Sequence, residues 1–229
     1  MTVVIVAAVG IAAGAVLPWV IARLPDRPAE AGESARTPYR ILAEVPKLGW
    51  FLSAATALTW AAVAGGGVAP MAALPAYLYV MWLGVAMSYV DIREHRLPDW
   101  LTYSAFAGAA LLLAVAAGVN GEWEAYGRAW LSAAVMTAGY FVLAMLRPGE
   151  LGLGDVKLAA SLGLLVGWIG WGHVMLGAFA GFLLGGVFSL VLLTTGRATR
   201  RSQIPFGPFM LAGALVAVAW GSTILAAYA

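Results

Sequence analysis

Apolar residues run through this chain in long unbroken blocks, without the alternation of a half-buried strand or the single stripe of a soluble surface helix. A helix needs roughly 20 apolar residues to cross about 30 Å of hydrocarbon. On that measure residues 2–22, 48–64, 71–90, 100–118, 129–146, 156–168, 173–195 and 206–228 are eight predicted spans. The sixth falls short of full thickness unless Gly170 and Trp171 extend it. The breaks carry turn and loop chemistry. Residues 23–47 hold Pro25, Pro28, Pro38 and Pro46 and are too polar to span, and Gly65, Gly66 and Gly67 stop the second block. A polar run from Asp91 to Asp99, a turn at 120–124, a glycine-rich stretch at 149–154 and a basic stretch at 197–202 punctuate the rest. The first block has Arg23 behind it and no basic residue ahead, unlike a cleaved signal peptide, so it is expected to be a retained helix.

Composition agrees with that pattern. Of 229 residues 62% are hydrophobic and only 10% charged, with a mean hydropathy of +0.89; a soluble domain carries about a quarter charged residues. The expected class is an all-α polytopic membrane protein, since helices satisfy their backbone groups within one segment in lipid. With the N-terminus outside, twelve of the thirteen basic residues fall on cytoplasmic breaks and only Arg128 lies outside. The basic pI near 9.0 therefore reports topology and gives no support for a nucleic-acid partner. There are no cysteines and two histidines, which excludes disulfides, thiolate nucleophiles and cysteine zinc sites and leaves no histidine-rich metal site to expect. Residues 1–47 read as a helix with a short cytoplasmic loop, and residues 48–229 as a membrane-embedded core.

Two carboxylates stand out in this apolar background. Asp155 follows Gly149-Glu150-Leu151-Gly152-Leu153-Gly154 and opens the sixth block; Asp91 closes the third. Ionisable groups inside membrane helices suggest function by default. A competing reading makes Asp155 only the cap of the helix it opens. The assigned topology puts both acids at the cytoplasmic face, 155 − 91 = 64 residues apart. They can converge once the third and sixth spans pack, with Ala160, Gly163 and Gly167 small enough for close contact. Two such carboxylates share a proton: one draws a proton from water while the other polarises a peptide carbonyl. Gly152 and Gly154 are read as a hinge that closes the pair on substrate. Asp99, after Pro98, reads as a rival acid or a helix cap. Lys157 reads as a group steering the scissile carbonyl or as a snorkelling anchor. Glu150 is near enough in sequence to perturb Asp155.

These residues resemble the bacterial type IV prepilin peptidases, intramembrane aspartic peptidases with a GxGD motif. Gly152-Leu153-Gly154-Asp155-Val156-Lys157-Leu158 is similar to their second aspartate segment, and Asp91-Ile92 with Leu97-Pro98-Asp99-Trp100-Leu101-Thr102 to their first. The Arg23-Leu24-Pro25 exit of the first helix and Ile204-Pro205-Phe206-Gly207-Pro208-Phe209 also match in order. The resemblance implies an endopeptidase of the bacterial inner membrane with its active site facing the cytoplasm. Its partners would be prepilin or pseudopilin precursors, cut after a short basic leader. It implies no cofactor for proteolysis; many members also N-methylate the new terminus with S-adenosylmethionine. Larger members carry a Cys-x-x-Cys zinc domain where this chain has residues 23–47, so zinc is not expected here and methylation is left open. The rival class is a proton-coupled transporter using the same carboxylates.

Overall fold

The computed structural model describes residues 1–26, 37–66, 71–146, 151–197, 199 and 202–228, and every regular element among them is helical. The order is α1 (Thr2–Ala22), a short α2 (Tyr39–Ala43), α3 (Leu48–Gly65), a 3₁₀ turn (Met71–Ala73), α4 (Leu74–Glu94), α5 (Asp99–Asn120), α6 (Trp123–Leu146), α7 (Leu153–Ile169), α8 (Trp171–Thr194) and α9 (Gly207–Ala226). Seven helices among the described residues are long and apolar enough to cross a membrane. The one remaining predicted span, the sixth, is α7. It has 17 residues, about 26 Å at 1.5 Å per residue. Gly170 does not lengthen it: its extended backbone (φ 157°, ψ 166°) separates α7 from α8.

Helix ends follow local chemistry. His95, left-handed at φ 51°, closes α4 by donating its N–H to Asp91 O at 2.8 Å. Pro98 precedes α5 and its carbonyl accepts the Leu101 and Thr102 N–H groups, each at 3.1 Å. Gly121 at φ 74° ends α5, and α6 begins two residues later at Trp123. The fifth span therefore starts six residues earlier than its apolar block suggests, and Arg128 lies inside α6 instead of in an outer loop.

Two ends of the bundle are defined by contacts across it. The start of α9 meets the end of α4 through Gly207 and Asp91, and the start of α5 meets the start of α7 through Asp99 and Lys157. At the opposite end Gly221 of α9 packs on His173 of α8, and Arg128 of α6 reaches the end of α7. α7 is the most enclosed helix, with twelve of its residues buried, whereas α1 and α8 turn broad apolar faces outward.

Small residues set the closest helix contacts. A Cβ on Gly14 of α1 would lie 2.5 Å from Ser53 Cα of α3. A Cβ on Gly163 of α7 would lie 2.6 Å from Ala133 Cα of α6. This corrects the expectation for Gly163, Gly167 and Ala160. The two glycines bring α7 against Ala129, Ser132 and Ala133 of α6, and Ala160 lines an apolar groove with Phe106 and Trp130. α4 is held to α7 differently, by the buried Tyr77 hydroxyl donating to Leu165 O at 2.8 Å.

Candidate active site

Asp91 occupies the last turn of α4 and is 4% exposed. Its Oδ2 accepts the Gly207 N–H at 3.1 Å. That N–H belongs to the opening of α9, one of the donors that a helix start leaves unpaired, and the positive end of the helix dipole favours an acceptor there. Asp155 is the third residue of α7 and is 7% exposed. Its Oδ2 accepts the Gly152 N–H at 3.1 Å while its own N–H donates to Gly152 O at 3.0 Å. The capping reading of Asp155 is thus part of the picture: this carboxylate does close the start of α7. The same carboxylate lies within electrostatic reach of Asp91. The structure brings the two acids together from helices α4 and α7, each tethered through one oxygen to a backbone N–H.

Leu97, between α4 and α5, roofs this pair. A Cβ on Gly154 would sit 2.9 Å from Leu97 Cβ, and one on Gly207 would sit 3.2 Å from Leu97 Cδ2 and 2.9 Å from Asp91 Oδ2. Gly154 and Gly207 are the slots into which the leucine fits. Neither Gly152 nor Gly154 has a positive φ; Gly152 is extended at φ −79°, ψ 151°, a conformation open to any residue, and Gly154 is already inside α7. Neither glycine is thus needed here for a left-handed backbone. What Gly154 supplies is room for Leu97.

Lys157 and Asp99 meet each other. The Lys157 Nζ lies 2.7 Å from Asp99 Oδ1 and 5.0 Å from the centre of the Tyr103 ring. Lys157 is two residues beyond Asp155, about 200° around the helix, so it leaves α7 on another face. Asp99 is the first residue of α5, with Pro98 in the capping position. The cap expectation for Asp99 gives way to an ion pair that joins α5 to α7. Glu150 lies outside the described residues.

Three groups at the site carry no obvious sequence sign. Gly207 acts through its backbone, and only the Ile204-Pro205-Phe206-Gly207-Pro208 segment pointed toward it. Leu97 reads in sequence as one more apolar residue. Tyr140 of α6 is buried, within electrostatic reach of Asp155, and packs with Phe182 (5.5 Å between ring centres) and Phe206 (6.3 Å). Phe206 is the residue immediately before the Gly207 donor, so this aromatic cluster backs the tether on Asp91.

Residues 77–190, a stretch that includes both aspartates, match the model of the type IV leader peptidase family. The chain is 30% identical over 209 residues to the prepilin leader peptidase/N-methyltransferase of Aeromonas hydrophila, covering 91% of this chain and 66% of that protein. It is 30% identical over 150 residues to the protein of the same name from Aeromonas salmonicida strain A449, covering 65% of this chain and 50% of the relative. The counterpart from Stutzerimonas stutzeri is 31% identical over 166 residues, 67% of this chain and 52% of its own. The chain thus spans about half the length of most of these curated relatives. No solved structure matches it. On the family match and these relatives together, the chain belongs to the type IV leader peptidase family.

Proposed function

We propose that this protein is an intramembrane aspartic endopeptidase that removes the leader of prepilin or pseudopilin precursors, with Asp91 and Asp155 as its catalytic pair. The observation that carries the reading is the meeting of two buried carboxylates from remote helices, each with one oxygen held by a backbone N–H. That tether leaves the second oxygen of each acid for a shared proton and a water. The ionised partner takes a proton from water as its oxygen attacks the scissile carbonyl. The protonated partner donates to the carbonyl oxygen, and the tetrahedral intermediate then collapses as the leaving amine gains a proton. The site opens at the cytoplasmic face of the bacterial inner membrane, where the basic leader meets the acid pair and Glu94. A proton-coupled transporter would use similar acids, but membership in a peptidase family favours proteolysis.

The names of the relatives also include N-methyl transfer. In residues 23–47 the described carboxylates are already engaged within the loop: Asp26 accepts the Tyr39 N–H at 2.9 Å, and Glu44 lies 3.5 Å from Arg40. No methyl-transfer step is assigned to this chain.

The test is cleavage of a co-expressed prepilin by wild type, Asp91→Asn and Asp155→Asn, with membrane insertion checked for each. Each substitution is expected to lower cleavage by about 10²–10⁴-fold, the usual scale of general acid–base catalysis. Normal cleavage by either variant removes that residue from the catalytic pair.

A further inference from the structure

The end of α7 remote from the two aspartates is unusually well held. The last carbonyls of a helix have no partner within it and must be satisfied by other groups. Arg128 of α6 donates through Nε to Gly167 O at 2.9 Å and through Nη2 to Trp168 O at 2.6 Å. Tyr77 of α4, fully buried, donates to Leu165 O at 2.8 Å. Arg128 also lies within electrostatic reach of that tyrosine. One rigid guanidinium fork and one phenol thus grip the last turn of α7 from two different helices, and the cation stands at the negative end of the helix dipole.

We propose that Arg128 and Tyr77 are positioning residues that set the height and rotation of α7, and so deliver Asp155 to Asp91 from the far end of the bundle. This inference rests on the catalytic pair proposed above. Tyr77 is on the same helix as Asp91, 91 − 77 = 14 residues away, or about 21 Å. Leu165 is 165 − 155 = 10 residues from Asp155, or about 15 Å. α4 and α7 run antiparallel, with the Tyr77 hydrogen bond towards one end of the pair and Asp91 and Asp155 towards the other. The glycine contacts of α7 with Ser132 and Ala133 of α6 set how closely the two helices approach. The polar grip has only one register. A slip of one residue moves α7 by about 1.5 Å and turns Asp155 by about 100°.

The experiment measures kcat, KM and thermal unfolding of the full chain in detergent, with a prepilin substrate, for Arg128→Gln, Arg128→Lys, Tyr77→Phe and Asp155→Asn. Arg128→Gln and Tyr77→Phe are expected to lower kcat per folded molecule by about 10- to 100-fold, the scale of a 1 Å misplacement. KM is expected to stay within about twofold, because α7 is misplaced without loss of the substrate's own contacts. Arg128→Lys, which keeps a donor and a charge, recovers part of the loss. Unchanged kcat in either Arg128→Gln or Tyr77→Phe overturns the inference. So does a loss of activity that only follows the loss of folded protein. If Asp155→Asn is inactive while Arg128→Gln is normal, the positioning role alone fails; if Asp155→Asn cleaves normally, the catalytic pair fails and the positioning role with it.

Discussion

Leu97 and Gly154 make the sharpest demand on any single residue in this site. The leucine is pinned on one side by Gly154 and on the other by Gly207, so it has no room to retreat from an added methyl. Gly154→Ala is expected to destabilise the protein by about 1–3 kcal/mol through overpacking and to lower cleavage, because the strain falls between the two acids. Adding Leu97→Gly removes the Cβ that this methyl meets, so the double variant should lose less than the two single losses combined. Thermal unfolding and cleavage of all three variants check this, and strict additivity would separate Gly154 from Leu97. At this scale the sequence showed the aspartates plainly, since an acid inside an apolar block has no bland neighbours to hide among. It did not show Gly207, because a backbone donor leaves no mark in side-chain chemistry. Nor did it show that Asp99 and Lys157 neutralise one another, since residues 58 apart in sequence pair only through the fold.

Between elements, apolar spacing says that a helix exists but not which neighbour each face meets. A membrane helix is apolar toward protein and toward lipid alike, so small residues, not hydrophobic ones, mark its contacts. Gly163 and Gly167 were legible as a contact face, yet their partner is α6 and not α4, and nothing in residue spacing distinguishes the two. The consequence is specific. A Cβ at Gly163 would meet the Ala133 backbone, which cannot swing aside as a side chain would, so Gly163→Ala is expected to cost about 1–3 kcal/mol. Gly139, on α6, has open space where a Cβ would go. Gly139→Ala should be neutral or stabilising by up to about 1 kcal/mol, through helix propensity. Thermal unfolding of the two variants in one detergent makes the comparison. Equal effects would mean that α6 and α7 are not packed glycine to backbone. The start of α6 was misread for a related reason: Arg128 looks like a loop charge until its two carbonyl partners on α7 are known.

For the molecule as a whole, the proposed mechanism needs the acid pair at the side of the membrane from which the leader arrives. Connectivity places the segment before α9 at the end that holds Asp91, because Gly207 donates to that carboxylate. The turn between α5 and α6 lies at the other end, because α5 leaves the Asp99 region and α6 returns from the Arg128 region. Ser202 and Glu122 are exposed members of these two segments. The chain has no native cysteine, so Ser202→Cys and Glu122→Cys each report one side without a background signal. On the proposed topology, with the N-terminus outside, a membrane-impermeant thiol reagent added to intact spheroplasts should label Glu122→Cys and spare Ser202→Cys. Inverted membrane vesicles should reverse that pattern. The opposite result would put the aspartates at the outer face, where a cytoplasmic precursor could reach them only after crossing the bilayer. Cleavage ahead of translocation would then be ruled out even if both acids proved essential.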